Sequence, residues 1–555
     1  MASNGDRAPI KLAGAQPSTE ESPISASYRQ GTLLRLMLLF GLLVGLIAFI
    51  YDFLMELFLE IVWKMIPEVI LSSAEGTEGG IDFLNKWGWT YTIILSTALG
   101  TLAGLFIKFL GFPGDLPNVI KCVHDKGYVP MVQTLPMIFV SLCSITAGGS
   151  LGPEAPLVAI SASVCGWLSM NYFEHDTAMV RKCTIIGMSA GLSAFFGVQL
   201  GGALFALEVL HTMGMQFFDV AVYAIGSGGV CLVVYRGLQG DTFGDIWGFE
   251  PPAQSSAAEV ILGTLIGVIS GGVGLVFRSF FRRVGKGVSL IGLGHFENPP
   301  APVILSALGG FLIAVLGVLV PPSMFWAEFE IVSIADPSKE LPHVWPPGGI
   351  FYGLEHYPWE SGPKYLLVGV AKLVAIAVTV QCGFRGGFIF PLFFAGASLG
   401  KGLMMVTDLL PEGVVIASPA LMCMCFAAGL NVAVTRTPLA SPLILATLSG
   451  APNVAAPALC AALASLFITR ASKFIGPQMD RADLRFIGDL QTLEASTAGE
   501  VSEGATDLVS VAITKVVTPR ALQTEFPPAE MSSLLSKVAD QTGEYSAIAD
   551  AMDVA

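Results

Sequence analysis

The sequence predicts an all-α, polytopic membrane protein built from two internally repeated halves. Composition, a ladder of apolar runs and a recurring motif pair carry this prediction. Of 555 residues, 53% are hydrophobic and only 13% are charged, about half the charged share of a soluble domain. Apolar runs occupy 33–63, 92–110, 130–147, 183–210, 217–235, 258–277, 303–320, 365–382, 387–406, 414–433 and 453–469. About 20 apolar residues in helical form cross the hydrocarbon core of a bilayer, and the strict alternation of a membrane β-barrel is absent. Gly148-Gly149 recurs as Gly386-Gly387, Pro153 as Pro391, and Ala190-Gly191-Leu192 as Ala428-Gly429-Leu430, each 238 residues on. Glycine and alanine are abundant enough for one such match to arise by chance. Two motifs kept at one spacing favour a duplication, with a substrate site between the halves near the midplane.

Three zones follow. Residues 1–28 form a polar tail without an apolar signal segment, and Asp6, Glu20 and Glu21 argue against a transit peptide. Residues 29–480 form the membrane body, with halves of about 29–240 and 250–480. Residues 481–555 form a Ser/Thr/Ala/Glu-rich tail with twelve acidic and five basic residues, so half of the net charge of −14 belongs to it. That acidity says little about a substrate. An aromatic-rich polar excursion interrupts the body at about 321–364. Arg278, Arg282, Arg283 and Lys286 form a basic cluster that the positive-inside tendency assigns to the cytoplasm, where it reads as a solvated loop face. The nine cysteines are scattered, and the C-x-C at Cys423 and Cys425 lacks zinc spacing. They read as packed free thiols.

Within this body, "AGGSLGPEAPLVAI" (147–160) holds one carboxylate, Glu154, with no Lys or Arg within twenty residues on either side. "GGSLGPEAP" and "RGGFIFPLF" both place glycines, then a proline, then an apolar helical run. Glycine frees the backbone, and proline early in a helix lacks only an N–H that would be unpaired anyway. Each segment therefore reads as a helix that starts inside the protein, as does "GFPGDLPNVI" at 111–120, where Asp115 is expected to cap the start. Irregular backbone at membrane depth survives where it lines a cavity or is packed in protein. Helix starts present free N–H groups and the positive end of the dipole, so several facing each other form an anion site. An isolated intramembrane acid is a functional candidate. Glu154 is expected to occupy the anion site when charged and to leave it when protonated.

These segments resemble the CLC family of chloride channels and chloride–proton exchangers. "GPEAP" (152–156) is similar to that family's G-[KR]-E-G-P, "GFIFP" (387–391) to its G-x-F-x-P, and "PGDLP" (113–117) stands where its G-S-G-I-P falls. "GLSAFF" (191–196) and "LFALEVL" (204–210) resemble its G-L-x-A-x-F segment and the helix after it. The resemblance spans about 30–480 in order. It implies a CLC-like fold with broken helices meeting at a central anion site. It makes Glu154 the gating glutamate, and assigns anion binding to the backbone amides of Phe388 and Ile389, to Gly114 and to Phe474. Ile389 replaces the family's phenylalanine, which a main-chain contact tolerates. Gly114 offers no hydroxyl where the family has a serine. Phe474 is nearest to the tyrosine of the inner gate and can only block sterically.

The same resemblance puts the exchangers' second, proton-passing glutamate directly after Glu208. Val209 stands there, as in channel members, and Glu208 reads as a structural acid. The tail is too short for the family's paired cytosolic nucleotide-binding (CBS) modules. The sequence therefore reads as a voltage- or pH-gated chloride (anion) channel, with one pore in each subunit of a homodimer. A chloride/proton antiporter on the same scaffold is the alternative. No cofactor, metal or nucleic-acid partner is expected; the ligand is chloride or another small inorganic anion. The chain contains no H-E-x-x-H and no paired intramembrane Asp, which disfavours an intramembrane enzyme, and a cation transporter would show several buried acids.

Overall fold

The computed structural model describes residues 23–67, 69, 80–173, 176–213, 215, 217–240, 246–250, 256–294, 301–328, 330–336, 362–407 and 418–480. The acidic tail, the start of the polar tail and residues 337–361 of the aromatic excursion lie outside them. Two units are distinguished, 1–479 and 480–555, and only Asp480 of the second is described.

The first half of the body contains α1 (Pro23–Glu60), α2 (Gly80–Leu110), α3 (Leu116–Asp125), α4 (Thr134–Thr146), α5 (Glu154–Tyr172), α6 (Thr177–Phe196), α7 (Gln199–Glu208) and α8 (Ala221–Gln239). The second contains α9 (Ala257–Leu290), α10 (Pro302–Leu319), α11 (Ile331–Ala335), α12 (Gly362–Gln381), α13 (Ile389–Thr407), α14 (Pro419–Thr435), α15 (Ala440–Leu448) and α16 (Ala455–Thr469). α1 starts at Pro23, inside the expected polar tail, because proline suits a first helical turn.

Eight of the described helices are long and apolar enough to cross a bilayer, fewer than the eleven apolar runs. The run at 183–210 is broken: Gly197, at φ +65°, ends α6 and lets α7 start afresh. The runs at 130–147 and 414–433 give helices too short to span. Such helices end within the protein, where their backbone ends find partners or line a cavity.

Small residues set the packing. Lipid tails are as apolar as leucine, so helices associate in a bilayer by close backbone approach at small side chains. α9 presents Gly263, Gly267 and Gly271, each four residues on, to Pro457, Ala461 and Ser465 of α16; a Cβ on Gly263 would stand 2.7 Å from the Pro457 carbonyl oxygen. α1 meets α8 in the same parallel manner, with a Cβ on Gly41 or Gly45 lying 2.9 Å from the carbonyl oxygens of Ser227 or Cys231. Each half thus closes its first helix on its last. α2 and α10 run antiparallel through Gly104, whose Cβ would stand 2.6 Å from the Pro302 carbonyl oxygen.

Buried polar groups stitch the broken ends. Glu208 is fully buried and accepts N–H bonds from Leu439 (3.0 and 3.2 Å) and Ala440 (2.9 Å), capping the start of α15. This agrees with its reading as a structural acid. Arg436, at φ +65° after α14, donates to Thr469 Oγ1 (3.1 Å) and the Ser472 carbonyl (2.8 Å), tying α14 to the end of α16. All nine cysteines are free and buried or half-buried. Glu208→Ala is expected to lower thermal stability in detergent by about 2 kcal/mol, because two buried N–H groups lose their acceptor. Glu208→Gln, which keeps a carbonyl oxygen, should lose less.

Candidate functional site

Two glycine loops meet at the centre. Gly152 N–H donates to the Gly387 carbonyl (2.6 Å) and Gly387 N–H to the Gly152 carbonyl (2.7 Å), a two-bond antiparallel bridge between the halves. Further cross-ties are Arg385 N–H to Ser144 Oγ (3.1 Å) and Ser150 N–H to Thr379 Oγ1 (3.3 Å). The bridge sets the starts of α5 and α13 face to face. Glu154 is the first residue of α5 and Ile389 the first of α13, with Pro156 and Pro391 third in each. The equivalence is therefore Gly152 with Gly387 and Glu154 with Ile389, an offset of 235 rather than the 238 expected from sequence. Pro153 is not the counterpart of Pro391, and the connection between the two motifs absorbs the three-residue difference.

Glu154 is 1% exposed, and its Oε1 accepts the Ile389 N–H at 2.8 Å. A Cβ on Gly387 would overlap Glu154 Cγ and Cδ, and one on Gly152 would overlap Oε2. Both glycines are thus required for the seat. The Glu154 carboxylate thus stands at the N-terminal end of α13, where free N–H groups and the helix dipole suit an anion. Burial of an uncompensated carboxylate is costly, so the interaction is strong only while the α13 start remains aimed at it.

A cavity of about 700 Å³ leads to this seat, with Asp115, Glu154, Val209, Phe388, Ile389 and Phe474 in its wall. Arg278, Arg282, Arg283 and Lys286 also line it. The basic cluster is therefore not in a loop: α9 continues through it to Leu290, and Arg282, Arg283 and Lys286 are exposed helical residues in the cavity lining. Arg385 adds a fifth cation to the lining; it is 2% exposed, with its guanidinium 4.6 Å from the Phe112 ring centroid.

Phe474 stacks on Phe277 (5.6 Å between centroids, 11° between planes) and touches Phe281 (4.8 Å) and Phe388 (6.1 Å). This aromatic cluster stands in the cavity beside the Phe388–Ile389 segment. Val209 is buried at the end of α7, its carbonyl accepting from Gln478 Nε2 (2.9 Å). Asp115 caps α3 as expected, accepting the Asn118 N–H at 2.9 Å. The α3 segment enters the wall at Asp115, Leu116 and Pro117. Gly114 stands just before them at φ +77°, and a Cβ there would meet Asn118 Nδ2 at 2.6 Å. A serine at 114 would be strained, so that substitution is no clean probe of selectivity.

A second cavity, of about 280 Å³, includes Asp52, Glu56, Tyr235, Arg236, Gln239, Trp326 and Glu328 in its lining. Trp326 joins it to the seat: its Cβ would be 3.1 Å from a Cβ on Gly152, whose other neighbour is Glu154 Oε2. Two G-x-S-x-G stretches, 148–152 and 187–191, carry no nucleophile arrangement. Ser189 donates to the Ile185 carbonyl within α6, and Ser150 Oγ is buried without a base among the described residues.

Sequence reading brought Glu154, Phe388, Ile389, Phe474 and Val209 to one cavity and missed Arg385, Trp326, Glu328 and Lys372. The rule that singled out Glu154, a lone charge in an apolar run, also fits Lys372. Only the fold reveals the roles of Trp326 and Glu328.

A family model described as voltage gated chloride channel matches residues 99–470. The chain is 26% identical over 401 residues to a chloride/fluoride channel protein of Pseudomonas syringae pv. tomato, covering 70% of this chain and 79% of that one. Among solved structures, a slow cyanobacterial Cl⁻/H⁺ antiporter superposes with a TM-score of 0.62 at 16% identity, over 79% of this chain and 94% of the other. A CLC-type fluoride/proton antiporter superposes at 0.59 and 18% identity, over 83% and 100%. These two likenesses concern the fold.

The geometry makes a size prediction. Gly387→Ala should destabilise the protein by about 1–3 kcal/mol, the usual penalty for overpacking. Glu154→Ala in the same chain should recover most of that loss, because it removes the Cγ and Cδ that the new methyl overlaps. Melting temperatures of the parent, both single variants and the double variant check this; independent losses would contradict the seat.

Proposed function

The chain belongs to the voltage-gated chloride channel (CLC) family, and from that premise we propose that it is a passive channel for chloride or another small inorganic anion, gated by Glu154. Anion transport follows from the family. The channel reading and the gate rest chiefly on one observation, the Glu154 carboxylate bonded to the Ile389 N–H at the start of α13. A carboxylate there competes with any anion for the same donor and the same dipole end. Protonation removes the charge that holds it, the side chain departs, and the anion takes the N–H. The five cations of the large cavity would raise local anion concentration ahead of the seat. Phe474 would narrow the approach by bulk alone. Each chain encloses its own Glu154, Ile389 and Phe474, which supports one pore per subunit of the homodimer expected from the family resemblance.

Val209 supports conduction without proton coupling, since it offers no titratable group beside the pathway. The antiporter reading also has a specific observation in its favour: one cavity touches both Val209 and Glu154, so water in it could replace a proton-passing side chain. Two solved structures with this fold are described as anion/proton antiporters.

Reconstitution in liposomes tests these points. Glu154→Gln mimics the protonated acid and should raise anion flux at high pH while flattening the rise that the parent shows as pH falls. A variant that matches the parent at every pH and voltage would remove Glu154 as the gate. The reversal potential under a pH gradient, at fixed chloride gradient, should stay at the chloride Nernst potential. Movement with the proton gradient in a fixed ratio would make the protein an exchanger. Running the flux assay with chloride, fluoride and nitrate ranks the anions.

A further inference from the structure

Lys372 lies in the middle of α12, fully buried. Its ammonium donates to the carbonyls of Met324 and Phe325 (both 2.7 Å), and those of Pro322 and Ser323 (both 3.3 Å) share its third N–H. It also stands 5.4 Å from the Phe394 ring centroid. Four consecutive carbonyls thus converge on one cation. The segment they belong to turns through left-handed backbone at two non-glycine residues, Phe325 (φ 53°) and Ala327 (φ 61°). Such conformations are strained for residues with a Cβ and persist only where the surroundings over-determine them.

That segment forms the wall behind Glu154. Phe325 N–H donates to the Gly148 carbonyl (3.1 Å), and a Cβ on Gly148 would overlap Met324 Cε. Trp326 backs onto Gly152, while its indole N–H donates to Glu328 Oε2 (3.2 Å). Trp247 Nε1 holds the Glu328 carbonyl (2.9 Å). A buried ammonium gives up its hydration, a loss that a methionine of similar length would avoid. A purely packing role therefore gives no reason for a lysine, whereas gathering the carbonyls beside the buried Glu330 carboxylate does.

We propose that Lys372 is a positioning residue for the Glu154 seat: by drawing in the carbonyls of residues 322–325 it presses Trp326 against Gly152 and keeps the carboxylate on the Ile389 N–H. This rests on the reading of Glu154 as the gate. The charged groups around the segment are Glu328 and Glu330 within it, Asp52 and Arg236 across the second cavity, and Glu154 itself. Without the clamp the wall recedes and the carboxylate leaves its seat more readily.

Full-length parent, Lys372→Met, Glu154→Gln and the double variant, each in liposomes, test this through chloride efflux against pH. Lys372→Met should raise efflux at high pH about tenfold and flatten the pH profile, yet change efflux less than about twofold when Glu154 is already Gln, as expected of residues acting through one network. Equal factors in both backgrounds, or no change in the parent background, would overturn the proposal. If Glu154→Gln shifts the profile while Lys372→Met acts independently of it, only the clamp fails. If Glu154→Gln itself changes nothing, the gate reading fails first. Should Lys372→Met not survive purification, Lys372→Gln keeps two N–H donors and enters the same comparison. Loss of both variants would make Lys372 a requirement of folding alone and would equally overturn the proposal.

Discussion

One carboxylate, held away from water at the backbone N–H of Ile389, sets the terms for the rest of this protein. Glu154 fits only because residues 152 and 387 have no side chains. Those glycines stay in register only because their loops exchange two hydrogen bonds across the halves. The loops in turn hang from Ser144 on α4 and Thr379 on α12. Each support is a polar bond inside an apolar body, where an unmade bond is costly. The seat and the joint between the halves are therefore the same object, and a change that loosens one loosens the other.

Much of this was legible in the sequence. A lone acid in a greasy run, flanked by Gly and Pro and followed by helix, reads as a helix start with an anion at its tip. A second Gly-Gly-x-x-x-Pro run reads as the matching start. The register between them was not legible. Pro153 and Pro156 are both available as partners of Pro391, and only the bridge between Gly152 and Gly387 selects the second. The basic cluster was misread for a related reason. Charges at the end of a long apolar run look like a helix leaving the membrane, and the sequence gives no sign that α9 continues past them along a cavity. Lys372 meets the segment that carries Trp326 and Glu328 across about fifty residues of chain, and that segment meets Gly148 and Gly152 from farther still, beyond the reach of any local pattern.

The two cavities differ in character. The larger collects five cations around an aromatic cluster, and the smaller collects Asp52, Glu56 and Glu328 against one Arg236. Glu154 and Trp326 stand where they approach each other. An anion leaving the basic space meets an acidic one beyond the seat, a change of electrostatic surroundings across a few side chains. Under the proposed passage of anions, such asymmetry would make conduction depend on the side from which the anion enters, most at low ionic strength, when charges are poorly screened.

The small-residue seams bear on how such a molecule can move. Where α9 lies on α16 and α2 on α10, carbonyl oxygens sit close to the positions where a Cβ would stand on the facing glycines. Surfaces in contact at backbone distance interlock; they cannot glide past one another by half a residue without collision. Of these seams α2 on α10 joins the two halves, so rocking one half against the other would have to break that interlock together with the Gly152–Gly387 bridge. The scaffold then acts as a stator, and the proposed gate, a rotation of one side chain, asks nothing of it but to stand still.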